Sequence, residues 1–322
     1  MGVKSSLIRQ ATNVNFKNRA FTPFLQVKVI EKVVRLNGLD RIKIAVLASK
    51  SVFSQANNVV LTGYGADIDA ISGSLLAVVN NGPILISKKN ELSPEVVMEL
   101  SRLKAKKVYL LGGYMAISKN VEEQLTSQGY QVVRLGGKNG YDTAAKIAKS
   151  VKGNVSSHAF IVLGVMENPN DALADALAIG PVSARDKSLV FLVNTNSVPS
   201  ETRQALTDLK IKSVTIIGGL SAVSPIVSID LYLSNIQVWR VSGEDRYQTA
   251  LEIAKVYYPD SNKALIANGR SSADALIGGY LGNLKNAPIL LSEKDKLSDN
   301  TKTYIKDNLE KATILGGEGG YL

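Results

Sequence analysis

The residues able to do chemistry in this chain are few, and most of them recur. Arg35, Arg134 and Arg240 each follow a β-branched or aromatic residue (Val34, Val133, Trp239) and open a short run that ends in glycine: Arg35-Leu36-Asn37-Gly38, Arg134-Leu135-Gly136-Gly137 and Arg240-Val241-Ser242-Gly243. Downstream of each lies an Asp in a small apolar block: Asp69, Asp175 and Asp274. The Arg-to-Asp separation is 34, 41 and 34 residues, and from Asp to a Gly-Gly pair (Gly112-Gly113, Gly218-Gly219, Gly316-Gly317) it is 43, 43 and 42. An arginine can bind an anion, or it can pair with a neighbour to lock a loop. The same two readings hold for Asp40-Arg41 and Asp245-Arg246, which become Asn139-Gly140 in the second copy. A carboxylate at the start of an apolar helix is favoured by capping and by the helix dipole. Acid–base catalysis needs a second titrating group, and none recurs beside these Asp residues. His158 is the only histidine, has no repeated counterpart, and reads as a solvated loop residue. With 0 Cys, the chain has no disulfide framework, thiolate metal site or cysteine nucleophile.

Each Gly-Gly pair could cradle a phosphate at a helix N-terminus, as dinucleotide-binding turns do. Gly112-Gly113-Tyr114-Met115-Ala116 does not fit G-x-G-x-x-G, so a tight turn needing positive φ is the better reading, and no cofactor is expected.

These landmarks divide the chain. A length of 322 residues suggests about two domains, but the repeats set three of about 100 residues each. Copies two and three, aligned from Arg134 and Arg240, share eight identities in eighteen positions, among them Tyr141/Tyr247, Thr143/Thr249 and Ile147/Ile253. In copy one Ile42 replaces the Tyr. The expected divisions are a basic segment 1–28 and repeats at 29–133, 134–239 and 240–322.

Strand and helix patterns alternate within each copy. In copy one, Ile44 to Val52 reads as helix, Asn58 to Thr62 as strand, Ala66 to Val79 as helix and Pro83 to Ser87 as a short buried strand. Ser93-Pro94-Glu95 starts a further helix. Lys107 to Leu111 is a strand, a helix ends near Gln128, and Gln131 to Leu135 is the last strand. Short apolar strands separated by helices predict parallel sheets covered on both faces. The fold class is therefore α/β, three tandem Rossmann-like parallel-sheet domains. Copy three stops at Leu322 before its last helix and strand, so either the chain continues further or residues before Arg35 fill the gap. The basic N-terminal segment is a candidate for closing that copy.

The composition is that of a folded globular chain, with 45% hydrophobic and 20% charged residues. Lysine and arginine exceed acidic residues by 38 to 28, a net charge of +10, which points to a polyanionic partner. No apolar run is long enough to span a membrane. With 1 Trp and 6 Phe, and no interleaving of aromatic with basic residues, nucleic acid is not the expected partner.

The motifs Arg-Leu-x-Gly-x-x-x-Tyr-x-Thr-Ala-x-x-Ile-Ala, Asp-Ala-Leu, Pro-Ile-Leu-Leu and Val-x-Ile-x-Gly-Gly, at these spacings, resemble the clostridial cell wall binding type 2 repeat. The third copy matches best, through Arg240, Gly243, Asp245-Arg246-Tyr247, Thr249-Ala250, Ile253-Ala254, Asp274-Ala275-Leu276 and Pro288-Ile289-Leu290-Leu291. The resemblance implies a pseudo-threefold arrangement of the repeats within one chain. It also implies a non-catalytic module that anchors secreted surface and surface-layer proteins to an anionic wall polymer of the polysaccharide II kind. Pro83, Ile84, Leu85 and Ile86, with Pro288, Ile289, Leu290 and Leu291, map to segments associated with ligand binding in the family. Copy two carries Leu189-Val190-Phe191-Leu192 there, without Pro. Arg41 and Arg246 complete the candidate ligand-binding set. A wall-glycan or nucleotide-sugar enzyme on the same fold is the competing reading.

Overall fold

The computed structural model describes residues 32–66, 72–164, 175–270, 272–294 and 296–316. Among the described residues, twelve strands pair in parallel as three four-stranded sheets. The first sheet holds β2 (Asn58–Gly63), β3 (Ile84–Ser87), β4 (Lys107–Leu111) and β5 (Gln131–Leu135), in the order β3-β2-β4-β5. Around it lie α1 (Arg41–Val52), α2 (Gly73–Val79), α3 (Pro94–Leu103) and α4 (Lys119–Ser127).

The second sheet repeats that order as β7-β6-β8-β9, with β6 (His158–Leu163), β7 (Leu189–Val193), β8 (Ser213–Ile217) and β9 (Gln237–Val241). Its helices are α5 (Gly140–Ser150), α6 (Gly180–Arg185), α7 (Ser200–Asp208) and α8 (Pro225–Leu233), and a single 3-10 turn over Ala176–Ala178 precedes α6. The third sheet has β10 (Lys263–Asn268), β11 (Ile289–Ser292) and β12 (Lys311–Leu315), with α9 (Arg246–Tyr257), α10 (Ser272–Lys285) and α11 (Asp299–Asn308).

The fourth place in the third sheet is taken by β1 (Lys32–Leu36), from the other end of the sequence. It runs parallel to β12, from Lys32 opposite Lys311 to Leu36 opposite Leu315. The gap in copy three is thus filled by residues that include Arg35. The closing strand lies beyond the basic segment 1–28, which falls outside the described residues. Each repeat-opening arginine ends the sheet of the preceding copy, because Arg134 lies in β5, Arg240 in β9 and Arg35 in β1.

Local sequence accounts for the helix starts. Asp40, Asn139 and Asp245 are the N-caps of α1, α5 and α9, and their side-chain oxygens accept from the backbone N–H three residues on, at 2.8, 2.9 and 2.8 Å. Asn139 can replace Asp because both carry the oxygen a cap requires. Gly112, Gly218 and Gly316 follow the third strand of their sheets with φ of 93°, 115° and 130°, as the tight-turn reading requires.

One apolar core runs through all three sheets, and a second, smaller cluster packs one face of the third sheet under α9 and α11. α2, α6 and α10 meet at a central axis, where Ser74, Gly180 and Gly279 face one another. These three residues each lie five positions after the repeated Asp. Around the axis the units clasp in a ring. Ser72 of the first donates to the Val190 carbonyl of the second at 3.0 Å. Arg185 of the second donates to the Tyr257 carbonyl of the third at 2.6 Å and stacks over Tyr258 at 4.5 Å. Tyr280 of the third sets its ring 6.3 Å from that of Phe53 in the first.

His158 corrects the loop expectation. It opens β6, half-buried, with Nδ1 2.9 Å from Ser213 Oγ and Nε2 3.2 Å from Thr215 Oγ1. Burial lowers its pKa, so the ring is neutral at pH 7.

Candidate functional site

In open α/β sheets, ligands bind beyond the carboxyl ends of the strands. The N-termini of α1, α5 and α9 arrive there. The residue just past the first central strand is Tyr64, Gly164 or Gly269, and its N–H donates to the neighbouring edge strand at 2.7, 2.9 and 2.8 Å. A Cβ at Gly164 or Gly269 would lie 2.8 Å from the ring of Tyr141 or Tyr247. Both glycines therefore make room for a tyrosine from the following helix. In the first unit the tyrosine sits at the other site: Ile42 takes the helix position and Tyr64 the loop position. The ring returns to the same neighbourhood by another route, and Arg41 stacks over it at 4.6 Å.

Arg246 holds the matching place in the third unit, donating from Nη1 to the Gly269 carbonyl at 2.9 Å. Arg41 and Arg246 are both half-buried. The second unit has Gly140 there, and its Tyr141 hydroxyl bonds the Asn194 side chain instead. The carboxyl-end faces are thus cationic in units one and three and neutral at that point in unit two.

The repeat-opening arginines serve the Gly-Gly turns. Arg134 donates to the Gly112 carbonyl at 3.0 Å, pairs with Glu122 at 2.8 Å and stacks over Tyr114 at 4.4 Å. Arg240 donates to the carbonyls of Gly218 and Val223 at 2.6 and 2.8 Å. Arg35 reaches the Gly316 carbonyl at 3.3 Å. Turn carbonyls left without partners would carry the cost of an unmade hydrogen bond, so these guanidinium groups stabilise the turn.

Asp175 is the repeated Asp whose side chain is described, and it does not cap its own turn. It crosses to the third unit, where the Thr249 hydroxyl hydrogen-bonds it and Arg246 lies close enough to act on its charge. Burial raises its carboxyl pKa above the ordinary Asp value, and the Thr249 bond and Arg246 offset part of that rise. Thr249 accepts in turn from the Gly243 N–H at 3.0 Å, and Thr143 does the same for Gly137 at 3.0 Å. The shared Thr143/Thr249 identity was the available signal for this contact, but sequence alone does not say that its partner lies in another unit. Asp69 and the side chain of Asp274 fall outside the described residues.

The segments Pro83–Ile86 and Pro288–Leu291 are buried throughout. They form the edge strands β3 and β11, under α1 and α9. Their side chains pack in the core and present no surface, so the structure does not bring them together with Arg41 and Arg246 as a contact patch. Among the described residues, no group of three or more His, Cys, Asp or Glu could hold a metal ion, and no helix is long and apolar enough to cross a membrane.

Three parallel α/β units packed about one axis define a tandem-repeat α/β module. The sequence matches the family described as Cell wall binding domain 2 (CWB2) at residues 35–122, 134–228 and 240–320, and the chain belongs to that family. It is 31% identical over 285 residues to the N-acetylmuramoyl-L-alanine amidase LytC of Bacillus subtilis, spanning 88% of this chain and 55% of that protein. It is 32% identical over 273 residues to the amidase enhancer of the same organism, spanning 85% of this chain and 36% of the relative. Among solved structures, Cwp6 from Clostridium difficile superposes with a TM-score of 0.83 at 26% identity, over 95% of this chain and 47% of Cwp6. Cwp8 from the same organism gives a TM-score of 0.78 at 30% identity, over 88% and 49%. The chain therefore spans about half or less of the length of these relatives.

Proposed function

We propose that the chain is a non-catalytic anchor that holds an anionic secondary polysaccharide of the cell wall non-covalently and so tethers a larger protein at the cell surface. The observation that carries this reading is membership of a wall-binding family through three tandem units, in a chain with a net charge of +10. A repeating anionic polymer is best held by several weak contacts. Each exposed cation contributes roughly 0–1 kcal/mol, and tethering such contacts multiplies their effect on the order of 10²–10⁴-fold where geometry allows. Arg41 and Arg246 are the proposed contacts on the carboxyl-end faces. The buried Pro-Ile-Leu segments act through the strands that position those faces. Secretion, a Gram-positive wall and neighbouring surface-layer proteins belong to the same proposal.

Co-sedimentation with purified walls, before and after mild acid extraction of their polymers, tests it. Retention should fall on extraction and with rising ionic strength, as screening shortens to a Debye length of about 8–10 Å. Equal retention on stripped walls would refute the mechanism. Arg246→Glu should weaken retention while the third unit stays folded, and unchanged retention would make Arg246 a structural residue. The likeness to an amidase favours a second reading, in which the units themselves act on wall glycan. Hydrolysis of wall material by this chain alone would establish it.

A further inference from the structure

The strands that close the third sheet also line up a row of lysines at its opposite end. Lys32, Lys311 and Lys263 are the first residues of β1, β12 and β10, and they share one register. Parallel neighbours lie about 4.8 Å apart, so three ammonium stems leave the sheet within about 10 Å of strand spacing. Lys285, in the last turn of α10, joins them, and Lys263 Nζ donates to its carbonyl at 3.4 Å. With Val34 and Thr313 these lysines line a shallow groove of about 380 Å³.

None of the four lysines forms an ion pair among the described residues. Glu310, beside Lys311 in sequence, accepts from Asn262 Nδ2 at 2.6 Å. Like charges on adjacent strands repel, so the row does nothing for the sheet itself. The other sheets lack it. In the same register the first has Gln131, Lys107 and Asn58, and the second has Gln237, Ser213 and His158. The C-terminal end of α10 adds about half a negative charge, which four ammonium groups outweigh.

We infer that this groove is a single-copy binding site for phosphate groups of the wall polymer, distinct from the carboxyl-end faces. The choice of polymer rests on the wall-binding reading; the chemistry of the site rests on the lysines. An ammonium group is a compact charge suited to phosphate, and a row of them suits an anion whose charges repeat along a chain.

Calorimetric titration of the full chain with inorganic tripolyphosphate at low salt tests it. One site per chain is expected, weakening as salt is added. The Lys263→Gln/Lys311→Gln double variant should lose at least tenfold in affinity. The Lys50→Gln/Lys89→Gln pair removes equal charge from the first unit and should change little. Should the first pair fail to fold, Lys32→Gln gives the same reading. Three equivalent sites, no binding, or equal weakening by both pairs would overturn the groove. Tighter binding of duplex DNA at the same lysines would overturn the polymer assignment. A chain that sediments with walls but ignores tripolyphosphate would sink the groove alone. Binding of tripolyphosphate without wall retention would sink the anchor alone.

Discussion

Gly180 of the second unit and Gly279 of the third face each other so closely that a Cβ built on Gly180 would lie 2.8 Å from the Gly279 Cα. A Cβ on Gly279 would strike the Ser74 side chain of the first unit. Backbone meets backbone at the point where all three units converge.

Gly279→Ala should therefore destabilise the chain by about 1–3 kcal/mol through overpacking. Chemical denaturation measures the loss. Adding Ser74→Gly should recover part of it, because the two sites share one contact and their effects are not additive. Full additivity would place the strain elsewhere.

Asp175 gives the ring of units a pH dependence of known sign. Its folded pKa lies above the unfolded value, so folding favours the protonated form. The stability this adds is fully present below the unfolded pKa and is lost as pH rises through the folded one. Asp175→Asn removes the titration. The variant should gain on the parent at pH 7 relative to pH 4, as read by thermal melts at both. A constant difference between the two proteins would mean that Asp175 titrates normally.

Tyr280 is fully buried beside Phe53, and its hydroxyl has no hydrogen-bond partner among the described residues. Burial pushes its ionisation far up, so it stays neutral. A buried hydroxyl without a partner costs about 1–3 kcal/mol. Tyr280→Phe should accordingly leave Tm unchanged or raise it by a few degrees, while Tyr280→Ala should lower stability by about 3–5 kcal/mol through the cavity it leaves. Calorimetry separates the two outcomes, and a clear drop for the Phe variant would reveal a partner for the hydroxyl.

Deleting residues 1–36 should open the third sheet, since β1 is its fourth strand. Each lost backbone hydrogen bond contributes about 0.5–1.5 kcal/mol. Hydrogen exchange at the β12 amides should accelerate in this deletion and not in one that stops at residue 28. Unchanged protection after removing β1 would show that the pairing is dispensable.

Much of this was legible locally. Lys107–Leu111 and Gln131–Leu135 read as strands from their apolar runs, and they fold as such. Pro94 starts α3, and the Gly-Gly turns take the positive φ their glycines permit. Pairing across units was not legible, because periodicity reports which face of an element is apolar and not what covers it. β1 repeats the Val-Val-Arg-Leu of β5, but its partner β12 lies some 280 positions away. Asp175 looked like a helix cap because its sequence neighbours are helical, while its partner Thr249 belongs to another unit. Arg41 and Arg246 were recognisable as recurring cations. The lysine row was not, because it arises only when three distant strands fall into register.

The closure of the third sheet also sets how the molecule takes load. β1 and β12 run side by side in the same direction. A pull applied at residue 32 and at residue 315 therefore acts on opposite ends of adjacent strands and slides them past each other. Their cross-links share that force together instead of parting one after another. The seam between β1 and β12 is therefore loaded in shear, the geometry in which a pair of strands best withstands traction.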